Sequence, residues 1–325
     1  MIFNEENTIE KMLLTKAAQC GWKYVASNDI PRSTDSVLVE PWLQDALIRL
    51  NGITADQAAQ VIYKLRSAIM SGNSQDELIQ ANDRFRRLLF EENSEPFGEN
   101  GDNINIRFFS ENPAENHCVV TNQWEFPRPS RDGGKRLDLV FLINGIPMVI
   151  GEAKTPVRPQ VTWADGANDM LQYQRSIPEM FVPNILCFAS EGKELQYGGV
   201  GLPADKWGPW FADEERHHGT LNDVEHNFRH LLTPVRLIDI YRFYTVFSAT
   251  STGRKIKVVC RYQQYLRDSM KPDIQICNHN YLLADASHRL EDRPLLLRSY
   301  QALVVDEAHK LPDAARQMYT ETLSS

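Results

Sequence analysis

A chain of 325 residues with 42% hydrophobic side chains is too apolar for a disordered tail and longer than one small domain needs, so a packed core and more than one unit are expected. A formal net charge of -8 excludes a uniformly basic nucleic-acid binder, because phosphate contacts need Lys and Arg. It does not exclude a local basic patch, and carboxylates that hold a metal enter the same sum.

Cys20, Cys118, Cys187, Cys260 and Cys277 are odd in number and form no CxxC pair. That fits reduced thiols better than a disulfide framework or a zinc site. Glu5, Glu6 and Glu10 stand where a signal peptide wants bare positive charge, and no apolar run approaches the length of a membrane span. The expectation is a soluble, cytoplasmic protein without a membrane partner.

In chain order, Ile9, Leu13, Ala17 and Cys20 recur at helical spacing and predict an amphipathic helix over 6–20. Residues 40–50, 55–70 and 81–90 read as further helices, and 91–103, rich in Glu, Asn and Gly, as a loop. Strands are expected at 104–109, 118–126, 137–143 and 146–152, a helix at 163–175 and a buried strand at 185–189. Residues 200–222 read as an ordered connector holding Trp207 and Trp210, helices resume over 223–245, and 255–260 is a short strand. The expected domains are 1–200, a mixed α/β unit with a central sheet; 201–265, a connector; and 266–325, where the sequence changes character.

The chemistry gathers at Gly151-Glu152-Ala153-Lys154. Glu152 and Lys154 are two apart on a strand, so both face one side. Phosphodiester hydrolysis gives a carboxylate and an ammonium a reason to end an apolar strand. Mg²⁺ wants oxygen ligands and activates water, and a lysine orients that water or stabilises the transition state. Asp138, on the preceding strand, is the second carboxylate. Asn144-Gly145 marks the turn between the strands, and an odd loop with Gly145 left-handed in a bulge is expected, because it sets Asp138 opposite Glu152 on one face. Asp followed by Glu-x-Lys also occurs on surface strands as an ion pair. The stretch Arg128, Arg131, Lys135, Arg136, Lys154 and Arg158 reads either as a solvated loop face, which composition favours, or as a DNA patch.

The block RLDLVFLINGIPMVIGEAKTP, residues 136–156, resembles the amino-terminal nuclease domain of type I restriction enzyme restriction subunits. The opening NEENTIEKMLL and GWKYV, the segment LNGITADQAAQVIYKL and the run YQRSIPEMFVPNILCFASEGKELQYGG are similar to the same family. Residues 223–265 resemble the stretch leading into its motor domain, so the likeness covers roughly 1–265. It implies a PD-(D/E)xK restriction-endonuclease-like fold, a mixed sheet flanked by helices. It implies Asp138 and Glu152 as Mg²⁺ ligands and Lys154 as the catalytic lysine, with Arg128, Arg131, Lys135 and Arg136 on double-stranded DNA. Glu10 resembles the helical glutamate near the metal in such folds, or is a solvent-facing helix charge. Where the family carries Gln-x-x-x-Tyr, this chain has Asp169 and Tyr173: either Asp169 substitutes poorly for the glutamine or activity is reduced, and Tyr173 is either part of the site or a core residue. Specificity and methylation subunits are the implied partners, and ATP is used in the family.

Further on, ALVVDEAHK, residues 302–310, is an apolar strand running into Asp306 and Glu307, which suits Walker B chemistry. With CNHNYLLAD and KLPDAARQMY, this region resembles DEAH-box superfamily 2 helicases of the XPD-like kind. No GxxxxGK[S/T] loop occurs, so the tail is read as a partial helicase α/β fragment that binds no ATP.

His226 and His230 stand at a zinc-capable i, i+4 spacing without a third ligand, and Trp207 and Trp210 either stack bases or anchor the connector. Three functions stand open: a Mg²⁺-dependent DNA endonuclease module of a type I restriction system, a non-catalytic interaction module of a restriction complex, and a remnant of an ATP-dependent helicase.

Overall fold

The structure, a computed structural model, describes residues 6–72, 74–127, 134–154, 160–211, 220–249, 255–262, 264, 265, 282, 283, 286 and 312. The chain runs α1 (Glu6–Gln19), β1 (Lys23–Tyr24), α2 (Glu40–Asn51), α3 (Ala55–Met70), α4 (Gln75–Phe90), β2 (Ser94–Glu95), β3 (Ile104–Asn105), β4 (Cys118–Phe126), β5 (Lys135–Ile143), β6 (Ile146–Ala153), α5 (Trp163–Ser176), β7 (Leu186–Ser190), β8 (Leu195–Gly198), α6 (Leu221–Leu231), α7 (Pro234–Phe243), β9 (Thr245–Ala249) and β10 (Lys255–Val259). It divides into two units, Met1–Arg261 and Tyr262–Ser325, and all the named elements belong to the first.

Local chemistry sets the helix ends. Pro41 lies in the first turn of α2, and Gly52 closes it with a left-handed φ of 66°. Thr54 and Gln57 form a reciprocal capping box at the start of α3, and Thr162 and Asp165 do the same for α5. Each cap contributes about 1 kcal/mol.

Six strands form one mixed sheet in the order β1-β4-β5-β6-β7-β8. The pairs β1–β4 and β6–β7 are parallel; β4–β5, β5–β6 and β7–β8 are antiparallel. α5 makes the crossover between β6 and β7, as a parallel pair requires. An aromatic chain fills the core: Trp22 meets Phe141 edge-on at 5.0 Å, Phe141 meets Phe188 at 5.9 Å, and Phe188 meets Phe228 of α6 at 5.7 Å. Phe188 lies against the backbone of Gly151, where a Cβ would come within 2.1 Å of its ring. The residue before Glu152 must therefore lack a side chain.

The turn between β5 and β6 corrects the expected odd loop. Ile143 pairs with Ile146, so Asn144 and Gly145 form a two-residue turn, with φ of 51° and 83°. Asn144 is buried and wired in place: His117 N–H donates to its Oδ1 at 2.7 Å, and its Nδ2 donates to Phe108 O at 2.8 Å. The register then slips between Phe141 and Leu142. Leu142 pairs with Pro147, but Phe141 pairs with Val149, which leaves Met148 as an extra residue in β6. This bulge restores by other means the parity that the turn had taken away.

Other differences are local. The strand expected at 104–109 keeps only Ile104–Asn105, which pairs with Ser94–Glu95 inside the stretch read as a loop. Beyond it Asn51 takes over the backbone, accepting from Arg107 N–H at 2.7 Å and donating to Arg107 O at 2.9 Å, so the ladder stops. The helix expected from 81 begins at Gln75, and β1, β8 and β9 were not expected. β10 inverts the usual alternation: Ile256 and Val258 are exposed while Lys257 is buried. Lys257 Nζ donates to Asn184 O at 2.6 Å and faces the Tyr241 ring at 5.5 Å. Burial holds its pKa well below the ordinary lysine value.

Trp207 and Trp210 are both buried. The first donates from Nε1 to Leu202 O at 3.0 Å, and the second packs against Tyr197 at 5.7 Å. His226 and His230 stack at 4.4 Å, with His226 edge-on to Phe211 at 5.1 Å. No described helix is long and apolar enough to cross a membrane.

Candidate active site

β5 and β6 bring Asp138, Glu152 and Lys154 together. Leu139 pairs with Gly151, and one step further along the same register Asp138 stands across from Glu152. Asp138 Oδ2 accepts from Ala153 N–H at 2.9 Å, which ties the carboxylate to the end of β6. Lys154 Nζ donates to Glu152 Oε1 at 2.7 Å and also pairs with Asp169 of α5. Glu152 is 4% exposed, and its Oε2 is buried with no hydrogen-bond partner. Gly166 lets α5 come this close: a Cβ there would stand 3.3 Å from Glu152 Cγ and 3.0 Å from Ala189 Cβ.

The electrostatics follow from crowding buried carboxylates. Burial raises the Asp138 pKa to about 6, and Glu10 adds to the rise against the Ala153 hydrogen bond. Burial and then the Asp138 charge raise Glu152 to about 8, against the pull of Lys154. Burial alone would lower Lys154, but Glu152 and Asp169 outweigh it and hold the ammonium above its ordinary range. Tyr173, one helical turn after Asp169, is raised by burial and by the Glu152 and Asp169 charges. Lys135 Nζ lies 5.9 Å from the centre of the Tyr173 ring, and Arg136 is exposed at the start of β5.

Among the described residues, no three His, Cys, Asp or Glu side chains form a ready-made metal cage. Mg²⁺ does not need one: it is held by one or two carboxylates, with water and substrate phosphate completing the shell. Asp138 and Glu152 supply hard oxygen donors, and the unpartnered Glu152 Oε2 is a buried acceptor without a donor. The pair fits a divalent cation.

Glu10 is buried rather than solvent-facing, 7% exposed, and its carboxylate is held by Asn122 and Gln123 of β4. Reading the sequence alone missed both amides and the Lys154–Asp169 pair. The one available signal was two amide side chains inside the otherwise buried strand CVVTNQWEF. Arg128, Arg131, Arg158, Asp306 and Glu307 lie outside the described residues, and so does the sequence read as a helicase fragment.

A mixed six-stranded sheet flanked by helices, with two acidic residues on neighbouring strands and a lysine just past the end of one of them, is a nuclease-like α/β fold. Residues 2–206 match the family described as type I restriction enzyme R protein N terminus, and the chain belongs to that family. It is 27% identical over 277 residues to the type I restriction enzyme HindI endonuclease subunit of Haemophilus influenzae, an alignment covering 80% of this chain and 26% of that protein. Two Methanocaldococcus jannaschii proteins, named provisionally as the MjaIXP and MjaVIIIP endonuclease subunits of type I restriction enzymes, are 26% and 30% identical. Those alignments cover 65% and 39% of this chain, and 20% and 12% of the respective relatives. The chain thus spans about a quarter or less of the length of these curated relatives.

Proposed function

We propose that this chain is the Mg²⁺-dependent nuclease module of a type I restriction system and hydrolyses phosphodiester bonds of double-stranded DNA. The observation that carries the reading is the partnerless oxygen of buried Glu152, beside Asp138 and Lys154. Asp138 and Glu152 would hold the ion, and when bound it supplies an activated water and offsets charge on the phosphate. Lys154 already donates toward this position and is available to orient the water or to stabilise the oxyanion charge. Lys135 and Arg136, at the rim of the site, offer positive charge to the DNA backbone, together with Arg128 and Arg131 of the adjoining segment. Tyr173 has Lys135 Nζ 5.9 Å from its ring centre and lies within reach of the Glu152 charge.

The residues to about 200 form the nuclease domain in this reading, and 201–265 a connector towards a motor domain. Specificity and methylation subunits are the proposed partners in a cytoplasmic complex. In this reading the chain binds no ATP, and Asp306 and Glu307 are vestigial. One observation favours a second reading, a catalytically weak interaction module: Asp169 takes up the lysine that catalysis needs.

Supercoiled plasmid incubated with the full chain tests the proposal. Nicked or linear DNA is expected with Mg²⁺ and none with a chelator. Intact plasmid across Mg²⁺ and Mn²⁺ would leave the interaction module standing.

A further inference from the structure

β10 leaves Ile256 and Val258 to solvent and turns Lys257 inward, 4% exposed. The lysine meets Asn184, just before β7, whose carbonyl accepts from Lys257 Nζ at 2.6 Å and from Asn82 Nδ2 at 3.0 Å. Asn184 Oδ1 accepts from Cys187 Sγ at 3.6 Å, and Cys187 Sγ accepts in turn from Gln174 Nε2 at 3.8 Å. Burial pushes the Cys187 thiol up to about 12, so the sulfur keeps the proton that it donates. Lys257, Asn184, Cys187 and Gln174 are all buried, and they form a continuous polar path from β10 to α5.

A second contact runs beside it. Gln174 Oε1 accepts from Gly201 N–H at 2.9 Å, and a Cβ at Gly199 would stand 3.2 Å from Val259 Cγ2 of β10. The turn after β8 is therefore held by α5 at one residue and touched by β10 at another. Lys255 pairs with Asp83 of α4, which fixes the start of β10. At its other end the path reaches the helix of the site. Tyr173 precedes Gln174, and Asp169, the partner of Lys154, lies little more than one turn earlier. A hydrogen-bonded path fixes one relative position of strand and helix, where apolar packing alone tolerates several.

Resting on the nuclease reading above for what α5 faces, we propose that Lys257 and Gln174 are positioning residues that couple the β9–β10 hairpin to α5 and so set the placement of Asp169 and Tyr173 at the site. A displacement of the hairpin then reaches the site through this path.

Hydrogen exchange of the full chain, without metal or DNA, tests the coupling alongside thermal midpoints. Lys257→Met keeps the reach of the side chain and removes the donor. Asn184 O keeps its bond from Asn82 and a buried amine is gone, so the midpoint is expected at or above wild type. The α5 amides from Asp169 to Tyr173 should exchange about tenfold faster, the scale on which network residues modulate coupling, while β4 and β5 exchange as in wild type. Gln174→Met should do the same from the other end, since Gly201 is exposed and its N–H can turn to water. The double variant should exchange no faster than either single one, because one path is broken only once. Additive effects overturn the path, and so does wild-type α5 exchange in Lys257→Met. A lower midpoint with faster exchange along the whole chain also overturns it, as general loosening. None of these measurements depends on cleavage, so an intact plasmid counts against the nuclease reading, and the exchange pattern alone decides the coupling.

Discussion

Glu152→Ala should abolish Mg²⁺-dependent plasmid cleavage, with a loss of roughly 10³-fold or more. The metal's charge stabilisation is worth several kcal/mol, and each ~1.4 kcal/mol is tenfold in rate. Asp138 keeps its bond from Ala153 N–H in the variant, so the strand pair persists while a donor is lost. Glu152→Gln separates chemistry from folding. In the metal-free wild type, the folded Glu152 pKa is raised to about 8 by burial and Asp138, while an unfolded glutamate titrates near ~4.3. Between those values the folded state binds more protons than the unfolded one, so rising pH costs wild-type stability. Glutamine does not titrate. The stability difference between Glu152→Gln and wild type should therefore move in favour of the variant from pH 5 to pH 8, while the variant stays inactive throughout. Denaturant midpoints at the two pH values measure it. A difference that stays flat with pH would mean that Glu152 is not a buried acid in the free protein, and cleavage by Glu152→Ala at the wild-type rate would remove it from the site.

The trio was legible because each member leaves a mark in the sequence. Glu-x-Lys at the end of an apolar strand fixes two side chains on one face, and Asn-Gly places the partner strand. What failed was the route to parity. An odd loop was expected, whereas the chain uses a two-residue turn and then a bulge at Met148. A signal for it existed: Pro147 lacks an N–H, and proline inside a central strand belongs at a bulge or a strand's first residues. Lys257 could not be foreseen, because Lys-Ile-Lys-Val-Val read as a half-buried strand puts Ile256 and Val258 inside, and the fold does the reverse. The hold on Glu10 spans 112 and 113 residues of sequence, and the Lys154–Asp169 pair depends on how α5 lies over β6. Spacing rules govern neighbours on one element and carry no information about which helix residue meets which strand residue across the chain.

That last pair sets up the second large effect. Lys154→Met should lower the cleavage rate about 10²- to 10³-fold, the usual consequence of removing one charged donor from a transition state. Mn²⁺ binding without DNA should be no weaker, because the lysine competes with the ion for Glu152. Asp169→Gln should act in the opposite direction. Lys154 pairs with both Glu152 and Asp169, and the Asp169 side chain is 34% exposed, so that contact is screened and worth no more than about 1 kcal/mol. Releasing it should raise single-turnover cleavage roughly fivefold, since ~1.4 kcal/mol is tenfold. Single-turnover rates at saturating Mg²⁺ compare the three proteins directly. Faster cleavage by Asp169→Gln makes Asp169 a brake on an otherwise complete site. Slower cleavage together with weaker Mn²⁺ binding makes it a donor to the ion, and the lysine contact would then belong to the metal-free state alone. If neither wild type nor Asp169→Gln cuts while both bind Mn²⁺, a restrained lysine does not account for the inactivity, and the balance moves to the interaction module.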